Sequence, residues 1–147
     1  MNIFDNYLEL IFKLIKNNQK KLGLKELNEF KGINLEIPPS KFDSDLSTNI
    51  CMILSKPNKL EPNKLAVNVK DLLTSNIKDF KEIEIAGPGF LNIKLSNNAL
   101  ANIINKILQE GKLFGSNKTN LSYNIEFVSA NPTGPMHIGH CRGAIFG

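Results

Sequence analysis

This chain of 147 residues has few cysteines, no long apolar run and no basic stretch at its start, and each absence argues against one class of protein. Its two cysteines, Cys51 and Cys141, have no metal-ligand spacing and indicate no disulfide framework. The apolar runs are far too short to span a bilayer, so we expect no transmembrane helix and no membrane partner. The first residues show no basic stretch followed by an apolar block, which argues against a signal peptide. These absences leave the cytoplasm as the default expectation for its location.

Arginine is also scarce: the chain has one arginine against seventeen lysines, with a net charge of +4. The lysines are spread along the chain, and an AT-rich codon bias accounts for such a composition. A solvated lysine surface is therefore favoured over a dedicated basic patch, although weak attraction to a polyanion is compatible with it. A content of 41% hydrophobic and 22% charged residues indicates a globular protein with a real core.

The order of predicted elements indicates an α+β domain at residues 1–115. Apolar spacing predicts helices at 1–22 and 62–76, a strand at 34–37, and a hairpin of strands 82–86 and 90–95. Capping signals predict two more helices. One starts at Asp43, Ser44 or Asp45 and runs to 56, where Pro57 ends it, and the other spans 97–110 and is capped by Ser96. Polar residues 116–121 are read as a linker, and 122–147 as the start of a second domain.

The last residues carry the most chemistry. Both histidines, His137 and His140, lie here with Gly139 between them. A strand expected to be buried at 123–129 leads through a Pro/Gly turn to a helix start, where unpaired backbone N–H groups and the helix dipole favour a phosphate. Histidines on the first turn can donate to phosphate oxygens, and Gly139 lets a flat base approach the backbone.

Other interpretations of the histidine pair remain open at this point. A pair at this spacing also suits ordinary surface or capping histidines. A metal site would need a third ligand, and no nearby Asp, Glu or Cys completes one, so we predict no bound metal in the protein.

Residues 126–147 resemble the signature of arginyl-tRNA synthetases. His137-Ile-Gly-His140 is similar to the HIGH motif of class I aminoacyl-tRNA synthetases, and Asn131-Pro-Thr-Gly-Pro135 ahead of it narrows the resemblance to the arginine enzyme. Nearly the whole chain resembles this family, since the N-terminal part carries further matching pieces at 35–39, 45–49 and 85–92.

The resemblance implies an N-terminal tRNA-elbow domain at 1–115, followed at 122–147 by the first strand and helix start of a truncated Rossmann-type α/β catalytic domain. The implied reaction is the ATP-dependent joining of arginine to its tRNA. The implied partners are tRNA, arginine and ATP with its accompanying Mg²⁺, and a monomer is expected. The chain alone is expected to be inactive, with residues 116–147 loosely held; a stand-alone tRNA D-loop binding module and a decayed gene product remain alternatives.

The resemblance also implies roles for individual residues. The catalytic and ATP-binding residues would be His137 and His140, with Gly139 passing close to the adenine. The arginine-binding residues would be Glu126 facing the guanidinium, and Ser129, Ala130, Asn131 and His140 holding the amino and carboxylate groups. The tRNA-binding residues would be Phe90, by stacking, and Asn92, by an amide hydrogen bond; a strand-core aromatic and an exposed amide are the alternative readings of these two.

Overall fold

The computed structural model describes residues 3–25, 31–116, 120–131 and 133–147. The elements in chain order are helix α1 (Ile3–Asn17), strands β1 (Leu35–Glu36) and β2 (Leu46–Thr48), helices α2 (Ile50–Asn58) and α3 (Pro62–Asn76), strands β3 (Phe80–Ala86) and β4 (Phe90–Leu95), helix α4 (Asn97–Glu110), a 3₁₀ turn (Gly111–Leu113) and helix α5 (Ile138–Phe146). The chain divides into two compact units, Met1–Ser116 and Asn117–Gly147.

The first unit is built on a four-stranded antiparallel sheet in the order β1-β2-β4-β3. Because side chains alternate along a strand, Leu91, Ile93 and Leu95 point to one face of β4. These three join the buried core with residues of α1, α2 and α3. Phe90 and Asn92 belong to the opposite face of β4. The sheet therefore has a helix-covered face and an opposite face that carries Phe90 and Asn92.

The helices bury apolar stripes at helical spacing. Along α1, Tyr7, Ile11 and Ile15 are buried at steps of four residues. Along α3, Leu65, Val69 and Leu73 repeat that spacing. Sequence periodicity of this kind made both helices predictable, and the α+β class of the first unit is confirmed.

Three further predictions are confirmed by the structure. Helix α3 spans Pro62–Asn76, and the two strands of the predicted hairpin are β3 and β4. Ser96 caps α4, because its hydroxyl accepts a hydrogen bond from the backbone N–H of Ala99 at 3.2 Å. Local signals placed these elements because each has its own cap or turn chemistry.

The prediction that a helix starts at residues 43–45 is wrong for its first residues. Residues 46–48 form strand β2 instead, and α2 begins at Ile50 without a side-chain cap. The two carboxylates that were expected to cap the helix contact strand β4 instead. Asp45 accepts a hydrogen bond from the backbone N–H of Leu95 at 2.7 Å, and Asp43 forms an ion pair with Lys94. Pro57 lies inside the last turn of α2, which ends at Asn58, with Lys59 in the left-handed conformation at φ 53°.

The first helix is shorter than the predicted 1–22, because α1 ends at Asn17. The chain continues through turns to Gly23, which has a φ of 70°. A left-handed φ of this kind favours glycine, so Gly23 marks the end of the turns and not of the helix.

The buried strand predicted at 123–129 is also wrong. These residues are described without any strand, and Tyr123, Ile125 and Phe127 are exposed. A strand needs a neighbour to pair its backbone groups, and the described part of this unit provides none. The Rossmann-type character of the segment and the assignment of 1–115, 116–121 and 122–147 to domains and linker stay predictions.

Candidate functional site

A pocket of about 410 Å³ lies on the face of the sheet opposite the helices. It is lined by Glu36, Pro39, Lys41, Phe42, Ser47, Ala86, Gly87, Phe90 and Asn92. Strand alternation places Phe90 and Asn92 side by side on this face, two residues apart on β4. The structure therefore brings together the two residues that the sequence singled out for tRNA contact.

Asn92 is buried, with 2% of its surface exposed, so the reading of this residue as an exposed amide is wrong. Its Oδ1 accepts a hydrogen bond of 2.8 Å from the hydroxyl of Ser47, which lies directly opposite on β2. Among the described residues, its Nδ2 is the buried side-chain polar atom without a hydrogen-bond partner. Buried donors are nearly always paired, so this one is a candidate contact for a group that enters the pocket.

The charges around the pocket are mixed in sign. Lys41 places its ammonium 5.0 Å from the ring centre of Phe42, in a cation–π arrangement. On the same sheet face, a hydrogen bond from Lys94 lowers the pKa of the Asp43 carboxyl, and the pKa of Lys94 is raised by the same contact. With Glu36 also at the wall, the pocket offers aromatic surface and an amide donor more than a site for phosphate.

The histidine turn begins helix α5 of the second unit. His137 is the N-cap residue, and its Nδ1 accepts from the backbone N–H of Gly139 at 3.2 Å. His140 returns the contact, because its Nδ1 accepts from the backbone N–H of His137 at 3.3 Å. The two rings stack with centroids 3.8 Å apart. The capping interpretation of the pair is therefore seen in the structure, as a reciprocal capping box.

This capping geometry fixes which ring atoms remain free. Both Nδ1 atoms act as acceptors, so in the neutral rings Nε2 carries the proton. Each Nε2–H is then a donor that the cap does not use, and capping is compatible with phosphate binding at the same helix start. A side chain at position 139 would meet the His137 ring at 3.0 Å, so Gly139 leaves the first turn open.

The remaining predicted site residues lie in the segment before α5. Glu126, Ser129, Ala130 and Asn131 are all exposed. A second glycine is needed for packing here: a Cβ on Gly143 would lie 2.5 Å from the carbonyl oxygen of Phe127. This contact packs α5 against the segment that carries Glu126. The assignment of the four residues to an arginine site stays a prediction.

Two other buried titratable groups, Tyr7 and Cys51, have structural roles in the core. The Tyr7 hydroxyl donates to Asp79 at 3.0 Å, and burial raises the pKa of Tyr7, with the Asp79 contact adding to the shift. Burial also raises the pKa of the Cys51 thiol to about 12, which keeps it an unreactive core residue. Across the ranges that the structure describes, no three His, Cys, Asp or Glu side chains form a potential metal site.

Sequence reasoning missed the pocket residues outside β4. Phe42 and Lys41 lie in the connection between β1 and β2, and Ser47 lies in β2 itself. Residues 46–48 show no alternation of apolar and polar positions, because Ser47 and Thr48 are both polar, and three residues are too few to establish a strand.

Residues 9–95 match the family model "Arginyl tRNA synthetase N terminal domain", a range that contains every residue of the pocket wall. The "Arginine--tRNA ligase" of Pelagibacter ubique is 47% identical over 149 residues, covering 100% of this chain and 26% of that protein. Proteins of the same name from Mesomycoplasma hyopneumoniae strain J (42% identical, 88% of this chain, 26% of that protein) and Staphylococcus carnosus (40%, 100% and 26%) are also similar.

The chain thus spans about a quarter of the length of these relatives. In the part of the chain that the structure describes, no helix is both long and apolar enough to cross a membrane.

Proposed function

The chain belongs to the arginyl-tRNA synthetase family, whose N-terminal domain its residues 9–95 match, and on that premise we propose that its first unit binds the elbow of a tRNA at the D-loop. Protein recognition of RNA sequence targets unpaired loop bases, which stack on aromatic rings and hydrogen-bond at their edges. The pocket offers both contacts, through Phe90 and Asn92. The buried, unpaired Nδ2 of Asn92 is the observation that carries the proposal.

The proposed reaction of the longer protein is the ATP-dependent joining of arginine to its tRNA, in the cytoplasm and by a monomer. The arginine carboxylate attacks the α-phosphate of ATP and displaces pyrophosphate, and the arginyl group then passes to the 3′ end of the tRNA with release of AMP. His137 and His140 would donate hydrogen bonds to the phosphates as negative charge develops on them in the transition state. The backbone at Gly139 would lie close to the adenine, and Mg²⁺ would accompany ATP.

Arginine would bind beside this turn. Glu126 would face the guanidinium, for which a carboxylate is a bidentate partner. Ser129, Ala130 and Asn131, together with His140, would hold the amino and carboxylate groups. The 147 residues would not complete the reaction themselves, because a catalytic site must fix both substrates at once and the chain spans 26% of its relatives' length.

A stand-alone tRNA-binding module is the second candidate. It is supported by the composition of the pocket, since all of its lining residues belong to the first unit. Such a module would bind tRNA without any contribution from the histidine turn.

The experiment is to titrate the 147-residue protein with an arginine-accepting tRNA transcript at several salt concentrations. We expect weak, salt-dependent binding, since few lysines can neutralise phosphates at once. Phe90→Ala is expected to weaken it by about 1–3 kcal/mol through lost stacking. Phe146→Ala removes an exposed aromatic ring outside the pocket, at 88% exposure, and serves as the matched control. Absence of salt-sensitive binding by the parent would sink the proposal; melting curves of both variants separate lost contact from lost folding.

A further inference from the structure

Two histidine rings cap the start of α5, and both act as hydrogen-bond acceptors. His137 Nδ1 accepts from the backbone N–H of Gly139 at 3.2 Å, and His140 Nδ1 accepts from the backbone N–H of His137 at 3.3 Å. In most capping boxes, a serine or threonine holds the first position and a glutamate or glutamine the second. Those side chains keep their acceptor oxygens between about pH 5 and 8, whereas an imidazole loses its acceptor when it takes up a proton.

A proton on either ring opposes this cap. The protonated Nδ1 is itself an N–H donor, so it faces the backbone N–H that it bonded before, and the hydrogen bond is lost. A positive charge on the first turn is also unfavourable, because the helix dipole makes that end of the helix positive. Protonation of both rings would further place two like charges on rings whose centres lie 3.8 Å apart.

The surroundings of the pair do not fix its charge. Helix α5 packs against the preceding segment where Gly143 meets the carbonyl oxygen of Phe127. The other titratable or charged side chains that the structure describes in this unit are Tyr123, Glu126, Cys141 and Arg142. None of the hydrogen bonds and ion pairs of the described residues joins these four to either ring. The proton occupancy of the rings is therefore set by the solvent and by the cap itself.

We propose that the histidine pair is a pH-sensitive cap, which holds the first turn of α5 while both rings are neutral and releases it when they are protonated. The hydrogen bonds exist only with the neutral rings, so the cap is complete at the upper end of the range in which an imidazole titrates, about pH 5 to 8, and is lost toward the lower end. Release leaves the backbone N–H groups of His137 and Gly139 without their acceptors. The device needs neither ATP nor tRNA, so it goes beyond the proposed function and does not depend on it.

The experiment follows the ¹³Cα chemical shifts of Ile138 and Gly139 in the ¹⁵N,¹³C-labelled 147-residue protein from pH 8 to pH 5. The chain has two histidines, so no other side chain has an ordinary titration in this range. We expect helical shifts at pH 8 that move toward unstructured values as the pH falls, with the ratio of capped to uncapped turn decreasing about fivefold, the equivalent of one typical cap. Helical shifts that persist at pH 5, or that are missing at pH 8, would overturn the proposal.

Two double variants separate capping from titration. His137→Asn with His140→Gln supplies an acceptor at both positions without a titrating ring, and it should keep the first turn helical at both pH values. His137→Ala with His140→Ala should lose the helical shifts already at pH 8. A pH-dependent loss in the Asn/Gln variant equal to that of the parent, or an intact first turn in the alanine variant, would also overturn the proposal.

Helix α4 provides a control within the same molecule. Its cap is the hydroxyl of Ser96, which accepts from the backbone N–H of Ala99 and does not titrate in this range. The ¹³Cα shift of Ala99 should therefore stay constant from pH 8 to pH 5 in the parent and in both variants. A shift of α5 signals with constant Ala99 signals assigns the change to the histidine cap, whereas parallel changes in both helices would assign it to the whole chain and overturn the proposal.

Discussion

Replacing Gly89 by alanine is expected to damage the fold more than a matched glycine replacement elsewhere. Gly89 ends the turn between β3 and β4 and directly precedes Phe90. It has a φ of 99°, and a Cβ there would lie 3.0 Å from the Pro62 side chain and 3.2 Å from the Pro62 carbonyl oxygen. The hairpin turn therefore rests against the first residue of α3 with no room for a side chain.

Gly23→Ala is the matched control. Gly23 also has a positive φ, of 70°, but a Cβ there would meet no atom of the described chain within 4 Å. Both replacements incur the strain of a positive φ, about 1–2 kcal/mol. Both also reduce the freedom of the unfolded chain, which offsets about 0.4–1 kcal/mol. The entropy contributions cancel in the comparison, whereas the φ of 99° at Gly89 lies further outside the left-handed region than the 70° at Gly23, so its strain adds to the contact with Pro62.

Overpacking of this kind costs about 1–3 kcal/mol, so Gly89→Ala should be less stable than Gly23→Ala by that amount. Urea unfolding at fixed temperature measures the two free energies of unfolding. Gly89→Ala should also bind tRNA more weakly, because Phe90 moves with the turn. Equal destabilisation by the two replacements would refute the reasoning from the Pro62 contact.

Three shorter predictions follow from the same structure. Ser96→Ala should lower the free energy of unfolding by about 1 kcal/mol through loss of the α4 cap, whereas Ser75→Ala, at an exposed position in α3, should change it by less than about 0.5 kcal/mol. Because burial raises the Cys51 pKa to about 12, its contribution to stability is complete below the unfolded value of about 8.5 and is lost as the pH rises toward 12; urea titrations at pH 8 and 10 should show a steeper loss in the parent than in Cys51→Ala. The purified 147-residue protein should catalyse no arginine-dependent exchange of pyrophosphate into ATP, and measurable exchange would contradict the expected inactivity.

Elements with local signals were predictable from the sequence. The apolar spacing and Pro62 of α3, the Gly-Pro-Gly turn before β4 and the Ser96 cap all act within a few residues. Strand β2 was not predictable, because Asp45 bonds to the backbone of β4, about fifty residues away in the chain. A capping carboxylate and a sheet-pinning carboxylate look the same in a sequence.

The candidate site divides in the same way. Phe90 and Asn92 were found because they resemble a family pattern, and their position on one strand face follows from alternation. The surroundings of Asn92 were not predictable, because Ser47, its hydrogen-bond partner, and Phe42, which lines the same pocket, are distant from it in the sequence. At the histidine turn, the sequence indicated a helix start and left capping histidines as one interpretation; the structure adds that His137 and His140 cap the helix reciprocally.

The central claim is that the pocket on the sheet face receives an RNA base, and side-chain amide resonances test it most directly. In a ¹⁵N-labelled 147-residue protein, the Nδ2 protons of Asn92 give signals of their own. Addition of an arginine-accepting tRNA transcript at low salt is predicted to shift or broaden these signals together with the backbone amides of Ser47 and Phe90, and added salt should reverse the change. Binding of tRNA that leaves the Asn92 side-chain signals unmoved would contradict the account.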